Sequence, residues 1–289
     1  MERGFDLRDE AEKESRYDLS PEEMARRTRD LLREREPASG DKFVCYMLDE
    51  RHEQNSYYTD IARSMERAVF ERRFPENDVE GMQHEYNPYE EQSAFFLSID
   101  TETGRPAGTI RIIRNGERGF KTLEDLAAFK DDPEYPDRVF ERYGIADKDT
   151  CWDVATAAVP DEYGGGEVSS QIYRGMWVAS QLEQIRHFFS VIDKRPFELM
   201  EFLGFPFKSL PEVSWMPYAG SKSSLPVHGD APAFEESVRQ KFESITDEDT
   251  KEYARSFFRT LGYGDNDDAL EFVHERRDDI HPDDLGYAA

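Results

Sequence analysis

The amino-acid sequence predicts a mixed α+β / α/β protein whose central sheet holds both antiparallel and parallel strands. Apolar runs over 93–100 and 108–114, separated by the turn TETGRP, are typical of an antiparallel hairpin. A strand over 151–159, a glycine-rich turn, a helix over 168–184 and a strand over 187–193 form a βαβ unit. Since a βαβ unit requires a parallel strand pair, at least part of the sheet is predicted to be parallel.

Composition indicates an acidic globular protein. The 289 residues include 63 Asp and Glu against 37 Lys and Arg, a formal net charge of −26, which argues against nucleic acid and anionic membranes as partners. The 20 Phe, 14 Tyr and 3 Trp supply enough large apolar side chains for a core. No apolar run reaches the ~18 residues of a membrane span, and the N-terminus is charged from its second residue. We therefore expect a cytoplasmic protein.

The N-terminal elements follow from capping signals and periodicity. Ser20, followed by Pro21 and by Glu23, is typical of a helix start and predicts a helix to about Arg35. Next come a strand, an amphipathic helix and a polar loop, predicted over 42–50, 57–73 and 74–92.

The remaining elements are shorter and lie in more polar sequence. One short helix is expected over 123–129 within the polar segment 115–150, and another over 197–203. Helical patches in the acidic tail are predicted over 233–245, 248–261 and 268–277. The predicted division is a charged helical arm, a sheet-bearing domain and an acidic helical extension, over 1–41, 42–230 and 231–289.

The turn between the strand over 151–159 and the following helix is a candidate anion site. Glycines there let the backbone turn tightly, so that the first N–H groups of the helix can face a phosphate. A plain strand-to-helix turn explains the glycines equally well. The sequence in this turn, Asp161-Glu162-Tyr163-Gly164-Gly165-Gly166, matches neither the dinucleotide-binding nor the P-loop pattern.

The order of elements resembles the GNAT (Gcn5-related N-acyltransferase) superfamily. Members carry a Val-x-Pro-x-x-Arg/Gln-x-x-Gly-x-Gly/Ala stretch that holds the pyrophosphate of coenzyme A, and the segment 159–169 stands in its place, with Gly164 at the basic position and Glu167 at a glycine position. The resemblance implies a GNAT-like, mostly antiparallel sheet with one parallel pair, flanked by helices. It also implies the following cofactor-binding residues: Val159, Tyr163, Gly164, Gly165, Gly166, Val168, Ser169 and Ser170.

The N-terminal half is similar to the acyl-homoserine-lactone synthase-like branch of that superfamily. The motifs that carry this similarity are the helix around Arg67, the segment 84–89, the strand Gly108–Ile113 and the strand that begins with Trp152. The resemblance implies substrate-binding roles for a set of residues along these motifs: Arg67, Phe70, Glu85, Phe96, Arg111, Trp152 and Thr156. Departures at Asn87, Tyr89 and Thr156 from residues that bind S-adenosylmethionine in that branch lead us to expect a different acyl acceptor.

The resemblance implies an N-acyltransferase that moves an acyl group from acyl-CoA or an acyl-carrier protein thioester to a small-molecule amine acceptor. The alternative is a GNAT-fold ligand-binding or assembly module without catalysis. A carrier protein is itself acidic, so its docking requires a local basic patch on this acidic chain. The basic residues clustered near one another in sequence are Arg111, Arg114, Arg118 and Lys121.

Two residues are candidates for the chemistry itself. Asp153, beside Trp152 on a strand, is a candidate general base because desolvation raises the pKa of a carboxyl group. The alternative is a structural carboxylate paired with an arginine such as Arg111. Tyr218 is a candidate general acid, since Met200 stands where many GNAT enzymes have a Tyr.

Metal and thiol chemistry are not expected. The six histidines show no metal-ligand spacing, so no metal site is predicted. Cys45 and Cys151 lie in apolar strands, where inert buried thiols are common, and two distant thiols form no disulfide framework.

Overall fold

The computed structural model describes residues 16–35, 37, 41–52 and 55–260. The α-helices are α1 (Pro21–Glu34), α2 (Ser56–Arg73), α3 (Val79–Tyr86), α4 (Lys121–Lys130), α5 (Tyr135–Tyr143), α6 (Glu167–Leu182), α7 (Lys194–Phe202), α8 (Ala231–Ser244) and α9 (Glu248–Thr260). The strands are β1 (Phe43–Asp49), β2 (Ser93–Asp100), β3 (Arg105–Arg114), β4 (Cys151–Ala158), β5 (His187–Asp193), β6 (Phe207–Ser209), β7 (Met216–Tyr218) and β8 (Ser221–Asp230). Short 3₁₀ helices span Asn87–Gln92, Lys148–Thr150 and Asp161–Tyr163.

One eight-stranded sheet organises the molecule. Its strand order is β1-β2-β3-β4-β5-β8-β6, and β7 pairs with β8. The β4–β5 pair is parallel, whereas the other pairs are antiparallel. The predicted fold class, a mostly antiparallel sheet with one parallel pair and flanking helices, is confirmed.

Helices cover both faces of this sheet. On one face α6, which connects β4 to β5, buries Val168 and Ile172 against the core that contains Trp152. A Cβ on Gly108 of β3 would lie 2.9 Å from side-chain atoms of both Val168 and Ile172, so glycine is what allows α6 to approach β3 so closely. On the opposite face α1 and α2 pack against β1 and β2, and α4 and α5 cover the region beside β5.

The segment 74–92, predicted as a polar loop, is instead largely helical. The Asp78 side chain accepts a hydrogen bond from the Gly81 N–H (2.8 Å) and caps α3. The residues that α3 buries are Met82 and Tyr86, four positions apart on one helical face. The spacing of these two residues is the signal for α3 in the sequence, and two residues make a weak signal.

The regions 115–150 and 203–230 also hold more structure than predicted. A second helix, α5, buries Val139 and Phe140 and ends at Gly144 in the left-handed conformation (φ 66°). Strands β6, β7 and β8 were missed because two of them are three residues long and β8 contains Pro226, which counts against a strand. The helix predicted over 268–277 lies outside the described residues.

The predicted three-part division stays a prediction, and packing crosses both of its boundaries. Leu19 and Leu31 of the arm lie in the same buried cluster as Phe95 of β2. At the other end, the ring of Phe234 in α8 stacks on that of Trp177 in α6, with centroids 5.4 Å apart. The described parts of both terminal segments therefore belong to the folded core.

Candidate functional site

The parallel strands β4 and β5 separate part of the way along their length. Their pairing runs from Cys151–His187 to Val154–Ser190 and ends there, while β4 continues to Ala158 and β5 to Asp193. Where the pairing ends, the Ser190 hydroxyl donates a hydrogen bond to the Val154 carbonyl (2.8 Å). Beyond this point the edge of β4 that faces β5 lacks a strand partner, so a V-shaped opening lies between the two strands.

A cavity of about 330 Å³ lies at the open end of β4. Three of the residues predicted to bind a cofactor, Val159, Gly164 and Ser169, line it. The remaining lining residues come from several elements: Arg73, Thr109, Ile110, Ala157, Pro160, Asp161, Ile172, Tyr173 and Pro196. The structure thus brings the glycine turn and the widened strand gap to one cavity.

The glycine turn has the geometry that places helix amides at this cavity. Gly165 and Gly166 have positive φ angles of 111° and 97°, which glycine adopts without strain, and α6 begins directly after them. The first N–H groups of a helix lack partners within the helix and attract anions. Ser170, which was also predicted to contact the cofactor, is 2% exposed, and its N–H donates to the Gly166 carbonyl.

The β3–β4 pairing contains a bulge beside this gap. Arg111 pairs with Thr156 but Ile112 pairs with Val154, so Ala155 is the extra residue of β4. A bulge changes the direction of the neighbouring backbone groups. The bulge and the separation of β4 from β5 fall on the same three residues of β4.

Thr109, which was not singled out from the sequence, contributes an unsatisfied polar group. It belongs to the cavity lining, and its Oγ1 atom is buried without a hydrogen-bond partner in the described structure. Such groups are rare because leaving one unpaired costs about 1–3 kcal/mol. A ligand with a hydrogen-bonding group at this depth would satisfy it.

A buried cluster of charged side chains lies between α2 and the strands β3 and β4. Arg111 is fully buried and pairs with Glu66 (Nη2–Oε2 2.7 Å) and Glu90 (Nη1–Oε1 3.1 Å). Its Nη2 also donates to the Tyr17 hydroxyl (2.8 Å). Thr156 donates to Glu66 from β4. Arg111 and Thr156, both predicted to bind substrate, therefore meet in one hydrogen-bonded network.

The electrostatics of this cluster favour its charged state. Burial alone would raise the pKa of Glu90, but Arg63 and Arg111 outweigh it and hold that pKa well below the usual range. For Arg111, burial opposes the charge, whereas Glu66 and Glu90 raise its pKa above the ordinary value. A buried arginine with two carboxylate partners is strongly held, because removing one partner leaves an uncompensated charge.

Asp153 lies at a different place, under α4. It is fully buried, and its carboxylate accepts hydrogen bonds from the N–H (2.6 Å) and the hydroxyl (2.8 Å) of Thr122. Burial raises the pKa of Asp153 to about 7, against the lowering effect of Thr122 and Lys121. Its hydrogen-bond partner is thus Thr122, and not Arg111, the alternative considered from the sequence.

Tyr218 and Glu85 lie close to Asp153 through a shared lysine. Lys121, the residue before Thr122, donates to the Tyr218 hydroxyl (2.9 Å) and forms ion pairs with Glu85 and Asp125. The Tyr218 hydroxyl donates in turn to Asp125. The two candidate catalytic residues therefore belong to one group around Lys121–Thr122, a connection that the sequence did not show.

The other predicted site residues have partners or positions elsewhere in the fold. Arg67 donates to the Tyr17 carbonyl and pairs with Asp18 and Glu71, so that it links α2 to the N-terminal segment. Others lie among apolar neighbours in the cores: Phe70, Phe96, Trp152, Tyr163 and Val168.

The basic patch proposed from the sequence for docking a carrier protein is wrong. Arg114 is 7% exposed and pairs with Asp49 (2.8 Å) and Glu183 (2.6 Å), while Arg111 and Lys121 are buried with acidic partners. Only Arg118 of the four has an exposed side chain.

The two cysteines are poor nucleophiles in this fold. Burial raises the pKa of the Cys45 thiol and that of the Cys151 thiol to about 12.

The described part of the chain offers neither a membrane-spanning helix nor a metal-binding cluster. No helix there is both long enough and apolar enough to span a bilayer. Nor do three or more His, Cys, Asp or Glu side chains come together there in a way that would hold a metal ion.

Comparison with known proteins finds similarity in solved structures. No protein-family model matches the sequence, and no curated protein matches it. FeeM, an N-acyl amino acid synthase from uncultured soil microbes, is 15% identical, with a TM-score of 0.49 over 68% of this chain and 94% of that one. BjaI, a CoA-dependent acyl-homoserine lactone synthase, is 11% identical, with a TM-score of 0.44 over 75% of this chain and 89% of that one.

A third solved structure, GCN5 from Tetrahymena, is 10% identical, with a TM-score of 0.39 over 65% of this chain and 95% of that one. Likenesses this distant carry no argument about activity. The strand order of this chain, with its parallel β4–β5 pair and flanking helices, agrees with the GNAT-like fold that the motif order implies.

Proposed function

We propose that this protein is an acyltransferase that moves an acyl group from a pantetheine thioester, carried by coenzyme A or by an acyl-carrier protein, to the amine of a small molecule. The observation that carries the proposal is the opening between β4 and β5, which ends the pairing at Val154–Ser190 and leads to a cavity beside the glycine turn. A narrow opening with free strand-edge amides suits an extended arm that contains amide groups.

The cavity offers matching chemistry along its length. The turn at Gly164 and the first amides of α6 face the end where a phosphate would lie. Thr109 offers a buried hydroxyl in need of a partner, and Ile110 and Ile172 supply apolar contact. The thioester would then lie near the bulge at Ala155.

The reaction at that position is aminolysis of a thioester. The amine nitrogen attacks the carbonyl carbon and forms a C–N bond, the C–S bond breaks, and the sulfur leaves as a thiol with a proton that came from the amine. A general base near neutral pKa assists this step. Asp153, with its pKa raised to about 7, is our candidate base. Tyr218, whose hydroxyl is hydrogen-bonded to Lys121, is our candidate acid.

A ligand-binding or assembly module without catalysis is the second candidate function. It is favoured by the satisfaction of both candidate catalytic groups within the fold. Asp153 already receives two hydrogen bonds from Thr122, and Tyr218 is bonded to Lys121 and Asp125. Neither group therefore needs a substrate to satisfy its hydrogen bonding.

A thioester screen decides between these functions. Acyl-CoA and acyl-carrier-protein donors of different chain length are incubated with a panel of amines, and free thiol is measured together with the melting temperature. A ligand at 100 times its Kd stabilises the fold by about 2.7 kcal/mol. Thiol release that depends on the amine supports acyl transfer, whereas a rise in melting temperature without release supports the binding module. No response to any donor would contradict both.

A further inference from the structure

Two arginines stand at the mouth of the cavity and share one carboxylate. Arg73 and Arg72 are the last residues of α2, and both reach across to Asp161 after β4. The Arg73 Nη2 lies 3.3 Å from Asp161 Oδ1, and the Arg72 Nη2 lies 3.2 Å from Asp161 Oδ2. Two positive charges thus meet one negative charge, and one positive charge is left over.

These charges are placed where a ligand can reach them. Of the residues that line the cavity, Arg73 is the one cation and Asp161 the one carboxylate. The three side chains are 58–66% exposed. Ion pairs with this exposure contribute about 0–1 kcal/mol to stability, so replacing the carboxylate by another anion costs little free energy.

The glycine turn itself lacks the charge that a phosphate needs. Apart from Tyr163, its side chains are acidic or absent: Glu162 precedes Tyr163, Glu167 follows the three glycines, and both carboxylates are exposed. Backbone amides next to these carboxylates give only a weak attraction for a dianion, because the helix-end effect is about 0.3–1 kcal/mol at exposed sites. A cation from outside the turn is required.

We infer that Arg73, with Arg72 behind it, forms the phosphate site of this cavity, and that Asp161 occupies these arginines until a phosphate displaces it. The inference rests on the proposed function, which supplies the pantetheine ligand. The shared chemistry is the phosphate at the end of the pantetheine arm, either the diphosphate of coenzyme A or the single phosphate that links the arm to a carrier protein. Arginine binds both in its bidentate geometry.

The test compares the binding of three probes by isothermal titration: coenzyme A, 4′-phosphopantetheine and pantetheine, which lacks phosphate. In the wild-type protein we expect the two phosphorylated probes to bind more tightly than pantetheine. Arg73→Gln should weaken both phosphorylated probes about tenfold or more and leave pantetheine unchanged. Asp161→Asn should strengthen them several-fold, because it removes the competing carboxylate. A diphosphate site binds coenzyme A more tightly than 4′-phosphopantetheine, and a single-phosphate site binds them equally.

The control is Arg239→Gln, which removes a partly exposed, ion-paired arginine from α8 that lies outside the cavity lining; its side chain is 40% exposed, against 58% for Arg73. If all three probes bind and Arg73→Gln behaves like Arg239→Gln, the phosphate site is wrong and the pantetheine opening stands. If neither the three probes nor inorganic pyrophosphate binds, both the opening and the site are wrong. Inorganic pyrophosphate separates a further case: its binding, lost in Arg73→Gln, supports the anion site even where pantetheine does not bind.

Discussion

At the scale of single residues, two of the predicted site residues, one carboxylate and one arginine, are buried and hydrogen-bonded within the fold. Asp153 and Arg111 are each 0% exposed. The sequence indicated both residues through their place in strand motifs, but the partners Thr122 and Glu66 come from distant helices. Their roles are therefore separable by measuring stability and activity together.

Asp153→Asn tests the proposed base. The amide keeps the shape and one acceptor but loses the basic oxygen, so we expect kcat/KM to fall by about 10²–10⁴-fold, the usual share of general acid–base catalysis. The loss should shrink at high pH, where more of the amine is free. Thr122→Val, which removes one hydrogen bond to the carboxylate, is the matched control and should shift the pH profile rather than abolish it. Full activity of Asp153→Asn across pH would make Asp153 structural.

The same residue predicts a pH dependence of stability. Because burial raises the pKa of Asp153 to about 7, from the ordinary 3.8 of an exposed aspartate, the folded state retains a proton that the unfolded state releases. This contribution to stability is fully present below pH 4 and is lost as the pH rises to about 7, on the order of 4 kcal/mol in total. Asp153→Asn should therefore melt at a higher temperature relative to wild type at pH 8 than at pH 5. A constant difference between the two proteins would contradict the raised pKa.

Arg111→Ala tests whether the buried cluster is structural. Removing the guanidinium leaves Glu66 and Glu90 without their main cation on that side, and breaking a buried pair in this way costs about 3–5 kcal/mol. Chemical denaturation measures the loss. The exposed Arg118→Ala serves as the control and should change the free energy of unfolding by less than about 0.5 kcal/mol. Normal stability of Arg111→Ala with lost substrate binding would instead support the substrate-binding role that the resemblance implied.

At the scale of elements, long periodic segments were predictable and short ones were not. Strands β2 and β5 have the predicted bounds, and α1 begins at the predicted cap, where the Glu23 N–H donates to the Ser20 hydroxyl (3.1 Å). In α3 and β8 the local signal is weak, and tertiary packing decides. Pro226 is tolerated in β8 because its carbonyl still accepts a hydrogen bond from Leu210 (2.9 Å).

The candidate site was predictable only where one stretch of chain forms it. The glycine turn and its helix are contiguous, so the residues of that stretch were found. Arg73 and Thr109 reach the cavity from α2 and β3, and Glu66 reaches the buried cluster from the same face of α2, two turns before Arg73. On a helix, a buried Glu resembles a solvated one until its partner is known.

Helix α1 gives a prediction at this scale. Its Leu31 is 0% exposed and packs in the cluster of β1, β2 and α2. Leu31→Ala should lower the free energy of unfolding by about 2–5 kcal/mol through lost burial and a cavity. Arg33→Ala, on the exposed side of the same helix, should have little effect. Equal stability of both variants would mean that α1 adds little to the packing of the core.

At the scale of the whole molecule, the net charge is the feature that determines how stability depends on salt. A formal charge of −26 repels itself in the folded state, and many basic side chains are already committed to ion pairs. Salt shortens the range of this repulsion from about 10 Å at 0.1 M to about 3 Å at 1 M.

We therefore expect the melting temperature to rise between 0.1 M and 1 M KCl. A gain of about 1 kcal/mol corresponds to roughly 2–4 °C for a chain near this size. Differential scanning calorimetry measures it, and tetramethylammonium chloride is the control: a similar rise indicates screening, and a rise with KCl alone indicates specific cation binding. A melting temperature that falls with KCl would show that the internal ion pairs outweigh the surface repulsion.

The buried charged cluster also has a consequence for how the chain is made. Tyr17 and Arg111 are 94 residues apart, and Glu66 and Thr156 are 90 apart. During synthesis the first helices leave the ribosome long before β4 has been made. Glu66 therefore has no Thr156 to pair with while the residues around it begin to pack. Contacts of such long range slow folding. The N-terminal half is therefore expected to stay loosely packed until about residue 156 has been synthesised.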